Sequence, residues 1–199
     1  KEGGLDEAKR AKMLEAMETS SNMLGTLVEN ILDVSRLERG LLTLNKSRFD
    51  VSASLAGVIA AIKPLAEQKG LYVKSFLPQS LGIFADQGLI ERVFSNLLSN
   101  AVKFTDKGGV EISYEYLTEP GRTPKHKFSV KDTGRGIAED ELPKIFEKYH
   151  RADRSEKGYG LGLSIVRQTV LAHGGEIEAF SKAGEGCEMV FTLPDGGKE

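Results

Sequence analysis

The chain has 199 residues, of which 40% are hydrophobic and 28% charged, a balance typical of one folded domain with an appendage or of two small domains. Lysine and arginine total 27 against 29 acidic residues, and the resulting net charge of −2 excludes the basic surplus that a nucleic-acid-binding protein needs. The single cysteine, Cys187, excludes an intrachain disulfide framework, and no apolar run approaches the roughly 18 residues of a membrane-spanning helix.

Residues 5–39 contain no proline, and their apolar residues recur at helical spacing, which predicts one long helix. The repeating apolar positions are Met13, Met17, Leu24, Leu27, Ile31 and Val34. Gly40 is a suitable C-terminal stop for this helix, because glycine commonly ends helices. The positive charges of Arg36 and Arg39 in the last turn favour a helix C-terminus as well. The apolar face fits either a helix that packs on the following domain or half of a helical hairpin that pairs in a dimer.

From Leu41 onward, strand and helix patterns alternate. Helices are predicted at 51–69 (with a kink or restart near Pro64), at 87–104 after the cap Asp86, and at 161–173. Strands are predicted at 71–76, 82–85, 110–116, around 128–130, at 177–180 and at 189–193. A long charged loop with one helical stretch connects Asp132 to Tyr159. This order predicts an α/β (α+β) two-layer sandwich, in which a mixed β-sheet carries helices on one face.

Two asparagines lie four residues apart on the predicted helix 87–104 and therefore share one face. Asn96 and Asn100 share this face with Arg92 and Lys103. An asparagine oxygen is a neutral ligand for Mg²⁺, which takes further ligands from phosphate and water. The face therefore suits a metal-bound polyphosphate, although a solvated polar face fits the same pattern.

The segment KDTGRGI, residues 131–137, directly follows a predicted strand. Asp132 at the strand end can accept a hydrogen bond from the exocyclic amine of adenine, while Gly134 and Gly136 let the backbone approach the base and sugar. A dinucleotide-binding motif is excluded, because Glu139 stands where its third glycine belongs and no helix opens on the glycines. A plain turn fits the segment as well.

The segment GYGLGL, residues 158–163, runs into the start of the helix predicted at 161–173. Backbone N–H groups at a helix N-terminus can bind phosphate, although a flexible hinge also explains such a glycine run. Gly184 and Gly186, before the last strand, fit a hairpin turn.

In this order and spacing, the four motifs resemble the N, G1, G2 and G3 boxes of sensor histidine kinases, and IFEKY at 145–149 resembles the F box of that family. The strings NLLSNAVKFT, VKDTGRGIAEDELPKIFEKY and GYGLGLSIVRQTVLAHGGEIE match the family closely. The resemblance covers about residues 49–194, and the preceding ILDVSRLERG resembles the second helix of the family's dimerisation and phosphotransfer hairpin. It implies that residues 1–45 are part of that hairpin, without the acceptor helix, and that residues 46–199 are an ATP-binding catalytic domain with the Bergerat-type fold.

The resemblance also implies roles for individual residues. Asp132 would bind the adenine amine, and Gly134, Gly136 and Ile137 would line the nucleotide. Asn100 would be the Mg²⁺ ligand, and Asn96 and Lys103 would contact the phosphates. The G2 segment would border a lid at 139–159 and bind phosphate through Gly158, Tyr159, Gly160, Leu161, Gly162 and Leu163. Three cationic residues of the lid would either neutralise the γ-phosphate or be ordinary solvated charges. They are Arg151, Arg154 and Lys157.

Asn96 distinguishes this chain from other members of the wider superfamily. Clamp ATPases such as DNA gyrase and the heat-shock chaperone have a glutamate at the matching position, which activates water. Because an amide cannot accept a proton in this way, Asn96 favours phosphoryl transfer to a protein over hydrolysis.

The sequence departs from the family pattern at two places. Cys187 follows the G3 glycines where the family commonly has serine or threonine, and a thiol is a poorer hydrogen-bond partner, so we expect modestly weaker adenine binding. In addition, none of His126, His150 and His173 fits the family's acceptor motif. We therefore expect the acceptor histidine to lie outside this chain, and the chain alone to be unable to autophosphorylate.

The leading hypothesis is an ATP:protein-histidine phosphotransferase of a two-component system that uses ATP and Mg²⁺. Its expected partners are the acceptor hairpin of a homodimeric parent and a cognate response regulator. Because the chain begins at Lys1, we expect a fragment of a longer parent. We expect this fragment to be cytoplasmic, and one candidate for the parent is an inner-membrane sensor that carries this domain on its cytoplasmic side. Alone, the fragment should associate weakly or be monomeric. Two alternatives are a nucleotide-binding module without kinase activity and a serine kinase of the anti-sigma type.

Overall fold

The computed structural model describes residues 43–151 and 159–196, together with positions 9, 10, 13, 14, 17, 21 and 25. The chain separates into two compact units, residues 1–42 and residues 43–199. The described positions of the first unit are helical. Most of the helix predicted at 5–39 lies outside the described residues, so its extent and its assignment to a dimerisation hairpin stay predictions.

The second unit contains seven strands and three α-helices among its described residues. In chain order they are β1 (Ser47–Asp50), α1 (Val51–Gln68), β2 (Tyr72–Ser75), β3 (Gly82–Ala85), α2 (Gln87–Phe104), β4 (Gly109–Leu117), β5 (Lys125–Asp132), a 3-10 helix (Leu142–Lys144), α3 (Gly162–Ala172), β6 (Glu176–Ser181) and β7 (Cys187–Pro194). Five strands form one sheet in the order β2-β4-β5-β7-β6, while β1 and β3 form a separate antiparallel pair. Within the large sheet β2 and β4 are parallel and the other neighbours antiparallel, so the predicted mixed sheet is confirmed.

The helix α1 is continuous through Pro64, and the predicted restart does not occur. Proline removes one backbone hydrogen bond, which would otherwise reach the carbonyl of Ala60. Because Ala60 is exposed, water can satisfy that carbonyl, and the helix tolerates the proline.

The core lies between α2 and the sheet and is centred on three aromatic rings. Phe94 of α2 meets Phe128 of β5 edge-on at 5.5 Å and Phe191 of β7 at 5.4 Å, and all three side chains are fully buried. The remaining buried residues of this helix face follow its apolar periodicity and are Ile90, Val93, Leu97, Leu98, Ala101 and Val102. Burial of this face leaves the opposite face of α2, with its asparagines, directed away from the sheet.

A histidine connects the start of α2 with the end of α3. Asp86 caps α2, with its carboxylate accepting from the Leu89 N–H at 3.2 Å. The Asp86 N–H donates to His173 Nε2 at 3.1 Å, and His173 Nδ1 donates to the Thr169 carbonyl at 2.8 Å. This arrangement uses the neutral ring with its proton on Nδ1. Burial lowers the pKa of His173, the hydrogen bond to the Thr169 carbonyl and the Asp86 charge oppose that shift, and the Lys46 charge adds to it, with a net lowering.

We expect acidification to destabilise the domain through His173. Because the folded-state pKa is lowered, the unfolded chain takes up the proton first. The stabilisation is present above about pH 6.5 and is lost as the pH falls, by at most about 1.4 kcal/mol per pH unit. Denaturant unfolding at about pH 7.5 and about pH 5.5 should show a larger loss in the unsubstituted chain than in His173→Gln, which cannot titrate there. Equal losses in the two proteins would contradict this assignment.

Candidate nucleotide-binding site

Asp132 ends β5, and its carboxylate is held by two backbone groups. Oδ1 accepts from the Gly134 N–H at 2.8 Å and from the Cys187 N–H at 3.2 Å. Among the described residues, Oδ2 has no hydrogen-bond partner, so one oxygen is fixed and the other is available to a ligand. Burial raises the pKa of Asp132, while the two backbone hydrogen bonds oppose that shift.

The backbone behind Asp132 leaves no room for a side chain at Gly134. A Cβ there would overlap the Phe104 carbonyl oxygen at the end of α2 and lie 2.9 Å from Asp132 Oδ1. The same Phe104 carbonyl accepts from the Arg135 N–H at 3.2 Å. The end of α2 and the loop at 131–137 therefore form one wall, and glycine is required where the backbone approaches the carboxylate.

The loop at 131–137 also interlocks with the turn between β6 and β7. Gly136 and Gly186 both have positive φ, 66° and 84°. A Cβ at Gly136 would overlap the Lys182 carbonyl, and one at Gly186 would overlap the Asp132 carbonyl. Ser181 completes the junction, because its hydroxyl accepts from the Ile137 N–H at 2.8 Å and donates to the Gly186 carbonyl at 2.6 Å.

The polar face of α2 places the two asparagines in different surroundings. Asn96 is half-buried, and its Nδ2 donates to the Arg92 carbonyl at 3.0 Å. Its Oδ1 lies only 2.9 Å from the place a Cβ would take at Gly162, so a larger residue there would displace the amide. Asn100 is also half-buried, and no described residue hydrogen-bonds to its side chain. Its oxygen is thus available to a ligand.

The polar face of α2 continues to the C-terminal end of the helix, where the side chains of Lys103 and Arg135 lie against the Phe104 ring. Lys103 Nζ is 4.6 Å and Arg135 Cζ is 4.9 Å from the centre of the Phe104 ring. These contacts bring Lys103, the candidate phosphate ligand, next to the loop at 131–137, which carries the candidate adenine ligand Asp132.

The helix α3 begins at Gly162, and its N-cap residue Leu161 makes no side-chain capping hydrogen bond. No side-chain cap therefore uses the first N–H groups of the helix. Uncapped N–H groups at a helix N-terminus can bind phosphate. Leu161 is buried and Leu163 half-buried, so their contribution to a phosphate site would come from the backbone.

A backbone hydrogen bond joins the middle of the predicted lid, at Tyr149, to Gly160, the residue that follows the lid. The Tyr149 N–H donates to the Gly160 carbonyl at 2.8 Å, and both residues have positive φ, 62° and 67°. A Cβ at Gly160 would lie 2.6 Å from the His150 carbonyl oxygen, which explains the glycine. Tyr159 is exposed and Arg151 half-buried. The predicted site residues Arg154, Lys157 and Gly158 lie outside the described residues.

All three histidines make structural contacts. His126 is buried, with its ring beside Tyr114 and Tyr116, and His150 pairs with Glu141 at 2.7 Å. His173 joins two helix ends, as described above. These contacts do not test phosphate acceptance, so the statement that none of the three is the acceptor stays a prediction.

Cys187 is a buried free cysteine whose backbone N–H holds Asp132. Burial, with Asp132 and Glu188 nearby, raises the pKa of its thiol to about 12. Replacing Cys187 by threonine should lower the dissociation constant for ATP about two- to fivefold, because a hydroxyl is a stronger hydrogen-bond partner than a thiol. Calorimetric titration of both proteins measures this change, and an unchanged or weaker affinity would contradict the expectation.

Comparison with known proteins places the chain in a family. The family model described as "Histidine kinase-, DNA gyrase B-, and HSP90-like ATPase" matches residues 85–197. Hybrid signal transduction histidine kinase L of Dictyostelium discoideum is 34% identical over 187 residues, which are 90% of this chain and 11% of that protein. Adaptive-response sensory kinase SasA of Microcystis aeruginosa is 35% identical over 175 residues, 86% of this chain and 45% of that protein.

A solved structure is similar throughout the chain. Full-length ShkA in complex with AMPPNP has a TM-score of 0.80 at 32% identity, and the match covers 96% of this chain and 40% of that one. The chain spans less than half the length of each of these three proteins. Among the described residues, no helix has the length and apolar character needed to cross a membrane.

The fold and the family match identify an ATP-binding catalytic domain. The chain belongs to the family of histidine kinase-, DNA gyrase B- and HSP90-like ATPases and carries the catalytic domain of a two-component sensor histidine kinase. The class of domain that the four boxes predicted, the ATP-binding catalytic domain of a sensor histidine kinase, is thereby confirmed.

Proposed function

We propose that the chain is the catalytic part of an ATP:protein-histidine phosphotransferase that transfers the γ-phosphate of ATP to a histidine outside this chain. The named histidine kinases among its relatives support this activity. The acceptor would be the phosphotransfer hairpin of the parent protein, and the phosphate would pass on to a response regulator.

In this proposal the nucleotide lies along the edge formed by α2, the loop at 131–137 and the start of α3. Asp132 Oδ2 accepts from the adenine amine, while Gly134, Gly136 and Ile137 line the base and sugar. Asn96 and Lys103 contact the phosphates, together with backbone N–H groups of residues 158–163. The free Oδ2 and the space kept by the glycines support these roles.

Asn100 is the proposed protein ligand of Mg²⁺. Its carboxamide has no partner among the described residues, and its oxygen is a hard, neutral donor suited to this ion. The described residues contain no group of three or more histidine, cysteine or acidic side chains that could hold a metal by themselves. A metal held at Asn100 would depend on the phosphates for further ligands, which fits an ion that arrives with ATP and neutralises phosphate charge.

The observation that carries phosphoryl transfer, as opposed to hydrolysis, is the environment of Asn96. One of the two N–H groups of its Nδ2 donates to the Arg92 carbonyl, and its Oδ1 faces Gly162 at the start of α3. An amide in this position can orient a phosphate but cannot remove a proton from water. ATP bound here would thus keep its γ-phosphate until an acceptor side chain arrives.

The proposal is tested by supplying the acceptor separately. The chain is incubated with γ-labelled ATP, Mg²⁺ and an acceptor-hairpin fragment of its parent. We expect label on the hairpin, lost in acid because phosphohistidine is acid-labile, and no label on the chain alone. ATP binding without any label on the hairpin would contradict the proposal, and acid-stable label would favour a serine kinase.

A further inference from the structure

The C-terminus of α1 is closed by a Schellman motif. Gly70 has a φ of 69°, and its N–H donates to the Glu67 carbonyl at 2.9 Å. The Leu71 N–H donates to the Ala66 carbonyl at 2.9 Å, and both of those residues are buried. These bonds fix the backbone of Lys69, the C-cap residue, so that the direction of its side chain is determined by the fold.

The Lys69 ammonium caps the neighbouring helix α2. It donates to three backbone oxygens, those of Val102 at 2.9 Å, Lys103 at 2.8 Å and Thr105 at 3.0 Å. An ammonium group has three N–H donors, and all three are used here. Its positive charge also suits the negative end of the helix dipole.

The last four carbonyls of a helix lack intrahelical partners. In α2 every one of them has another donor. The Ala101 carbonyl accepts from the Thr105 hydroxyl at 2.7 Å, and the Phe104 carbonyl accepts from the Arg135 N–H at 3.2 Å. Lys69 donates to the two carbonyls between them, those of Val102 and Lys103. Lys69 and the loop at 131–137 therefore hold the same helical turn.

We propose that Lys69 is a positioning residue for the nucleotide site, acting through the last turn of α2. That turn carries Lys103 and the Phe104 carbonyl, which abuts Gly134 and receives the Arg135 N–H. Without Lys69, the Val102 and Lys103 carbonyls lose their donors. Because Val102 is fully buried, water reaches its carbonyl only if the turn opens. The inference rests on the proposed nucleotide site, since Lys103 and this loop are assigned to ATP there.

The test replaces Lys69 by methionine, which keeps the length of the side chain and removes its donors. Lys69→Met should raise the dissociation constant for ATP with Mg²⁺ at least about tenfold and speed amide exchange at residues 101–105 and 134–136. The matched control is Lys63→Met on the same helix, whose ammonium is exposed and, within the described part of the chain, pairs only with Glu67, at 3.7 Å. The control should stay within about twofold of the unsubstituted chain on both measures.

Unchanged affinity and unchanged exchange in folded Lys69→Met would overturn the inference. If that variant does not fold, Lys69→Gln carries the test with the same expectation, and affinity equal to that of the unsubstituted chain would again overturn it. Failure of the unsubstituted chain to bind ATP would overturn the nucleotide site as well as the role of Lys69. Binding by the unsubstituted chain with equal binding by the variant overturns the role of Lys69 alone.

Discussion

Asp132→Asn is expected to weaken ATP binding about 100-fold, which corresponds to about 2.8 kcal/mol, while leaving the fold intact. The amide oxygen can take the place of Oδ1 and keep the hydrogen bonds from Gly134 and Cys187. The amide nitrogen then takes the place of Oδ2 and presents a donor to the adenine amine, which is also a donor. The hydrogen bond from the adenine amine is lost, and two N–H donors, the amide and the adenine amine, face each other without an acceptor.

The same substitution should change the choice of base. Inosine triphosphate carries a carbonyl where adenine carries its amine, and that carbonyl can accept from the amide of Asp132→Asn. Calorimetric titration with both nucleotides should therefore show ATP preferred by the unsubstituted chain and the preference reduced or reversed in the variant. Asp106→Asn, at an exposed position after α2, is the matched control and should bind ATP normally. Equal ATP affinity in all three proteins would show that Asp132 does not contact the base.

The second large effect is expected at the turn between β6 and β7, which offers two matched glycines. Gly184 and Gly186 have almost the same φ, 83° and 84°, so alanine is strained at both, at a cost of roughly 1–2 kcal/mol. The space around them differs, because a Cβ at Gly184 meets nothing within 4 Å whereas one at Gly186 would overlap the Asp132 carbonyl. Gly186→Ala should therefore lose about 1–3 kcal/mol more unfolding free energy than Gly184→Ala.

The two alanine variants should also differ in nucleotide binding. Relief of the overlap at Gly186 must move either the turn or the strand end that carries Asp132, so we expect ATP affinity to fall at least about tenfold. Gly184→Ala should bind ATP like the unsubstituted chain. Denaturant unfolding and ATP titration of both variants measure the two effects, and equal behaviour of the pair would contradict the interlocking of the two loops.

The sequence predicts those parts of the fold that local patterns determine. The helix α2 was predicted with its observed bounds, because its apolar residues repeat at helical spacing and Asp86 is a strong cap. In contrast, β1 was missed, since its sequence SRFD has a single apolar residue and shows no strand pattern, and its strand conformation comes from pairing with β3. The individual boxes were ambiguous alone, and only their joint order indicated the nucleotide site.

Supporting residues of the site escaped sequence reasoning because their roles arise from long-range contacts. Ser181 meets Ile137 across 44 positions, and Lys69 meets Thr105 across 36. Neither has a local signal beyond a polar residue next to a turn and a cation after a helix. The adenine candidate Asp132, by comparison, is marked by its own neighbours, the glycines that let the backbone close around it.

The central claim is that ATP lies at the edge formed by the end of α2, the loop at 131–137 and the start of α3. Amide chemical shifts recorded while AMPPNP and Mg²⁺ are added test it directly. We predict that the perturbed amides cluster at residues 96–105, 131–137, 160–163 and 184–187. Perturbations centred at the opposite end of β5, around Tyr114, His126 and Asp195, would contradict the account, as would the absence of any cluster.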